Sequence, residues 1–314
     1  MESTPKQPRP LDPRAMVAAV PLQAWPVGIA MAVLVAIAFK EPIGRMVDIW
    51  LAEESYYSHG PLVPLVALYL VWRQREVFMA DPARVSWLGL GFMLAGLAVL
   101  VVSGWMVVFF TAGFGLILVL WGMGGFLFGP GALRRLAFPA LVLCFMVPPP
   151  LQMIDDLSLR LKMLATALSL GVIETMGIVA VNDGQTIYLG DAQVTVGDAC
   201  SGLRSLISLI FLGMLFACLS DLTLPRRVAL FLAAAPIAIA SNMARVVGLS
   251  LVAYGFGSEA VGGWVHDLSG YMIFVVAFLL LYATMAALQF RLPRAGPDRV
   301  AAGAPTKEAP RCND

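Results

Sequence analysis

Charge and histidine are both scarce in this chain of 314 residues: 13% of it is charged, and His59 and His266 are its only imidazoles. Soluble domains carry about twice that share of charge, so a freely soluble globular protein is excluded. The net charge is only +1, and the basic residues fall in short groups between apolar runs. No basic face is left for nucleic acid. The four cysteines, Cys144, Cys200, Cys218 and Cys312, show no CxxC or other metal-ligating spacing. Neither zinc, another metal nor a cofactor is expected. Residues 1–21 are proline-rich and lack an apolar core, so no cleavable signal peptide is expected.

What the chain has in abundance is apolar sequence, with 60% hydrophobic residues and a mean hydropathy of +0.83. Runs long enough to cross a bilayer occur at about 23–39, 58–72, 86–106, 108–128, 133–148, 201–219, 227–254 and 265–290. They predict an all-α polytopic membrane protein with about eight transmembrane helices. A further segment, 157–180, is interrupted by Arg160, Lys162 and Glu174 and follows the Pro148–Pro150 and Asp155–Asp156 clusters. It reads as an interfacial or re-entrant helix. The positive-inside rule agrees. Lys6, Arg9 and Arg14, then Arg73, Arg75 and Arg84, then Arg134 and Arg135, then Arg226 and Arg227, and finally Arg291, Arg294 and Arg299 all share one side only if 157–180 does not cross. Both termini are then cytoplasmic.

The opposite side receives a 40–57 loop, a turn at Ser103–Gly104, the whole of 149–200 and a 255–264 loop. Within it, NDGQTIYLGDAQVTVGDA (182–199) alternates apolar and polar residues about an Asp-containing turn, the pattern of a small β-hairpin on the outer, periplasmic side. The Pro/Ala-rich ends, 1–21 and 292–314, are expected to be disordered cytoplasmic tails around a single membrane domain, 22–291.

GDACSGLR (197–204) places a thiol at the head of the sixth crossing. The free N–H groups and dipole of a helix start favour thiolate, the form that attacks carbonyls. Arg245 lies 18 residues beyond Arg227, a climb of about 27 Å at 1.5 Å per residue, which reaches the far edge of the hydrocarbon. His266 begins the eighth crossing at that level, so Cys200, Arg245 and His266 fall in one layer. Their chemistry suits acyl transfer: a nucleophile, a base for its proton, and a rigid fork of donors for an oxyanion. Asn242, one turn before Arg245, is placed to orient it, Arg204 is a reserve for thiolate stabilisation, and Asp267 is beside the imidazole.

Each residue also has a plain reading. Cys200 suits a small hydrophobe, Arg245 a snorkelling cation or a partner of Glu259 or Asp267, and His266 an interfacial hydrogen-bonder near Trp264 and Tyr271. His59, in YYSHGPLVPLVALYLVW, reaches the same layer as His266 and suits a helix cap, a substrate contact or an orienting group. Topology does not choose between the two histidines. A non-enzymatic transporter or exopolysaccharide-export component, with Arg245 and His266 lining a solute path, is the competing class.

YSHGPLVPLVALYLVWRQR (57–75), MVPPPLQ (146–152), GDACSGLRSL (197–206), SNMARVVGLSLVAYGFG (241–257) and WVHDLSGYMIF (264–274) together resemble the exosortase/archaeosortase family of membrane cysteine transpeptidases. The resemblance implies Cys200, Arg245 and His266 as catalytic residues, with His266 as the base. It implies as substrates secreted proteins whose C-terminal sorting signal, of the PEP-CTERM kind, combines a short motif such as Pro-Glu-Pro, a transmembrane helix and a basic tail. It further implies a site facing the periplasm from the bacterial inner membrane, among membrane lipids. The acceptor stays open: water would make the enzyme a protease, and an amine or hydroxyl on a surface glycan or lipid would make it a transpeptidase.

Overall fold

The computed structural model describes residues 24–53, 55–74, 85–197 and 202–290. Cys200 and both expected tails lie outside the described residues. Each of the eight apolar runs coincides with a helix: α1 (Ala24–Ala38), α3 (Leu62–Arg73), α4 (Trp87–Met106), α5 (Phe109–Phe128), α6 (Pro130–Leu143), α8 (Leu203–Leu219), α9 (Leu224–Phe256) and α10 (Trp264–Gln289). Of these, α4, α5, α9 and α10 are long and apolar enough to cross a membrane unaided. Two more spans result if each bent pair counts as one, while α3 and α8 are shorter apolar helices. The chain is a mostly helical membrane protein.

Residues 40–51 are helical rather than loop: α2 (Lys40–Leu51) meets α1 at 68°. Its charges conceal an amphipathic pattern. Pro42 and Met46 are buried while Lys40, Glu41 and Arg45 face outward, with Arg45 Nη2 donating to Glu41 at 3.0 Å and its guanidinium 3.6 Å above the Phe109 ring. The turn expected at Ser103–Gly104 falls later, at Val107, whose positive φ of 57° ends α4. Ser103 instead clasps Thr111 of α5, oxygen to oxygen, at 2.6 Å. Small residues let α4 and α5 approach backbone to backbone: a Cβ on Gly96 would lie 2.5 Å from the Gly115 carbonyl oxygen, and one on Gly122 would lie 2.6 Å from that of Gly89.

After a short 3-10 turn (Cys144–Met146) the chain bends by 79° into α7 (Leu151–Thr175), a helix that starts before the expected 157 and ends before 180. Ser158, Lys162, Thr166 and Ser169 are buried along one stripe at spacings of four, four and three, whereas Arg160 is exposed. The stripe packs inward. Thr166 returns a hydrogen bond to the Lys162 carbonyl, and Ser169 donates to the Met243 carbonyl of α9 at 3.4 Å. That contact pins α7 beside the turn of α9 that carries Asn242 and Arg245.

The expected hairpin has a third strand. β1 (Val181–Asp183), β2 (Thr186–Leu189) and β3 (Ala192–Thr195) form an antiparallel meander with Ile187 opposite Val194 and Leu189 opposite Ala192. Two-residue turns begin at Gly184 and Gly190, both at positive φ, as such turns require. Period-two alternation buries Ile187 and Leu189 on one face, where they join Ile173 of α7 and Val246, Val247 and Leu249 of α9. The sheet thus rests on the last turns of α9, whose 33 residues measure about 50 Å, well beyond the roughly 30 Å of a bilayer core.

Candidate active site

Three elements converge on the far part of α9. Gly202, the first described residue after Cys200, caps α8 at φ 74°, a conformation that favours glycine. A Cβ there would also lie 2.7 Å from Asn242 Cγ, so the head of α8 packs against the Asn242 side chain of α9 with no room for a side chain of its own. Asn242 is 6% exposed, and Ala165 of α7 lines a crevice with Gly202, Leu206, Ala238 and Asn242. Opposite, the Gln193 backbone donates to Ser258 Oγ at 2.8 Å. That bond ties the sheet to the 3-10 turn (Ser258–Val261) leading into α10.

Arg245, one turn beyond Asn242, reaches across to the first turns of α10. Its Nε donates to Ser269 Oγ at 3.0 Å, its Nη2 donates to the His266 carbonyl at 2.9 Å, and the same Nη2 stands 3.3 Å from His266 Nε2. An arginine only donates, so His266 Nε2 accepts and the ring proton sits on Nδ1. Nδ1 faces Asp267 Oδ1 at 3.3 Å. Neighbours on a helix normally diverge, yet this pair meets at the helix start. The His266 side chain is 27% exposed and Asp267 73%, which leaves the imidazole open on one flank.

Arg245, His266, Asn242 and Asp267 are therefore brought into one locus, beside the residue that follows the Cys200 segment. Arg204 is exposed on the first turn of α8. His59 belongs to a different cluster. It is 8% exposed and stacks with Tyr57 at 5.6 Å and Phe211 at 5.8 Å between ring centroids. Neither of its nitrogens makes a well-formed hydrogen bond among the described residues. Tyr57, the last residue of the 40–57 segment, is buried beside it, and burial pushes its phenol up to about 12. Among the described residues no cluster of His, Cys, Asp or Glu could hold a metal ion.

Reading the sequence missed Ser269, Gly270 and Gly202. The signal for the first two was present in HDLSG, because positions three and four beyond His266 share its helix face. Residues 50–283 match the family described as transmembrane exosortase. No curated protein and no solved structure matches the chain.

Proposed function

The chain belongs to the transmembrane exosortase family, and from that premise we propose that it is a membrane cysteine protease or transpeptidase acting on C-terminal sorting signals of secreted proteins. The family carries a role in processing such signals. The finer reading has its site at the periplasmic face of the inner membrane, both termini in the cytoplasm, residues 22–291 as the working domain, and substrates with a short motif, one apolar helix and a basic tail.

The observation that carries this reading is the 3.3 Å contact between Arg245 Nη2 and His266 Nε2, one helical turn from the Asn242 that touches Gly202. Cys200 stands two residues before Gly202, and two trans peptide links span at most about 7.6 Å. In the proposed reaction His266 Nε2 takes the proton of the Cys200 thiol, exchanging its long contact with Nη2 for one with sulfur. The thiolate adds to the scissile carbonyl carbon, and the oxygen gains a negative charge. Arg245 keeps Nη2 on the His266 carbonyl and turns donors toward that oxyanion. The C–N bond then breaks, the amine of the departing tail receives the proton from His266, and an acyl-thioester remains on Cys200. Water, or an amine or hydroxyl on a surface glycan or lipid, adds to the thioester and releases the thiol. Asp267 holds Nδ1–H throughout, and Asn242 steadies the α9 turn beneath Arg245.

The test is a reporter protein bearing a C-terminal motif, a single apolar helix and an Arg-rich tail, reconstituted in liposomes with the full-length enzyme. Cys200→Ser abolishes removal of the tail while the variant inserts at parental levels, and a membrane-impermeant thiol reagent labels Cys200 from the periplasmic side. Full processing by Cys200→Ser, or labelling from the cytoplasmic side alone, overturns the reading.

A further inference from the structure

Among the described residues, one turn of α10 gathers three groups against Arg245. His266 offers its carbonyl, Ser269 its hydroxyl and Gly270 a bare backbone, at spacings of three and four that align them on one face. The Ser269 hydroxyl donates to the His266 carbonyl at 2.6 Å, which commits its single proton. Its oxygen must then face Arg245 as an acceptor, and it takes the Nε hydrogen at 3.0 Å. A guanidinium is planar, so fixing Nε in this way fixes the roll of the whole fork. With that roll Nη2, rather than the other terminal nitrogen, stands between the His266 carbonyl and Nε2. Gly270 sets the approach distance: a Cβ there would lie 3.2 Å from Nη2 and 3.4 Å from Cζ, tight enough that the fork would have to back away from this depth.

We infer that Ser269 and Gly270 are positioning residues for the acyl-transfer reaction, acting through Arg245 by fixing the rotation and depth of its guanidinium against His266. The inference rests on the proposed roles of Cys200, Arg245 and His266. A seat that merely satisfied the polarity of a membrane arginine would affect folding or insertion. A seat that aims the fork affects turnover in protein that is fully folded, because a displacement on the order of 1 Å at a reacting group costs up to about 100-fold in rate.

Initial rates of tail removal from the reporter, measured across substrate concentrations with purified full-length enzyme, separate the two. Ser269→Ala lowers kcat by at least about 10-fold with KM within about twofold, because the lost hydroxyl frees the fork and acts on Arg245 rather than on the bound substrate. Ser269→Thr keeps a hydroxyl and returns kcat to within about threefold of the parent. Gly270→Ala, which crowds Nη2 while leaving every hydrogen-bonding group in place, gives an intermediate loss. Rates are normalised to enzyme that elutes as a single species in detergent and melts within a few degrees of the parent. A Ser269→Ala enzyme with parental kcat, or one whose Thr counterpart is equally slow, overturns the inference. Cys200→Ser run in parallel separates the two failures. If it processes the reporter, the catalytic reading itself has failed. If it is inactive while Ser269→Ala is parental, the positioning inference alone falls.

Discussion

Replacing Arg245 by lysine keeps the charge and removes the fork. In the structure Nε meets Ser269 at 3.0 Å, and Nη2 meets both the His266 carbonyl at 2.9 Å and Nε2 at 3.3 Å. A lysine ammonium is a single point with three donors on a stem that ends near the position of Nε or Cζ. It can reach the Ser269 hydroxyl or the His266 carbonyl, yet it cannot hold both and still offer a directed N–H to an oxyanion. Loss of one oxyanion donor costs about 2.7–4 kcal/mol, or 100- to 1,000-fold in kcat. Arg245→Lys is therefore expected to retain about 1% or less of the parental kcat, and Arg245→Ala less still. The ground-state cost is smaller, about 1.5–3 kcal/mol for one charge-assisted hydrogen bond, so the lysine variant still folds. The assay is the initial rate of reporter processing in liposomes, with insertion checked by protease protection. A lysine enzyme within threefold of the parent would refute the reasoning, since charge alone would then be sufficient and the geometry of the fork irrelevant.

Two further outcomes concern packing. Gly96→Leu drives a side chain into the Gly115 carbonyl, 2.5 Å from the Cβ position, and lowers the melting temperature in detergent through a loss of roughly 1–3 kcal/mol or more; Gly91→Ala, where nothing lies within 4 Å, leaves it unchanged. Equal melting of Gly96→Leu and parent would remove α4–α5 close packing from the account. His59→Phe preserves the stack on Tyr57 and Phe211 and deletes two buried nitrogens without well-formed partners, so it raises stability by about 1 kcal/mol or more. Loss of processing by a stable His59→Phe enzyme would instead assign the residue a chemical role.

The apolar helices were legible because lipid permits so few alternatives. Residues 86–106 and 108–128 read from hydropathy differ from the observed α4 and α5 by one residue at most, and 265–290 differs from α10 by one at each end. Elements outside the longest runs were harder. Lys40, Glu41, Arg45 and Asp48 made α2 look like a loop, since its buried face consists of little more than Pro42 and Met46. β1 has three residues, all exposed, and offers no alternation to read. The polar stripe of α7 blurred its bounds because buried polar residues look, in sequence, the same as residues facing water. For the candidate site, counting the rise along α9 gives the level of Arg245 but not the direction of its side chain. Ser269 and Gly270 escaped notice because neither carries chemistry of its own.

Under the proposed function, the length of α9 bears on which substrates fit. Eleven residues separate Arg245 from Phe256, about 16 Å of helix, and the sheet is fastened along that stretch through Val246, Val247, Leu249 and Ala253. Under the proposed function the sheet is an overhang, and it works as a ruler. A folded cargo domain cannot press down to the membrane beside it, so the cargo must be joined to its anchor helix by a spacer of about five extended residues to clear the overhang. Sorting would then depend on the slack in the polypeptide ahead of the cleavage motif as well as on the motif itself.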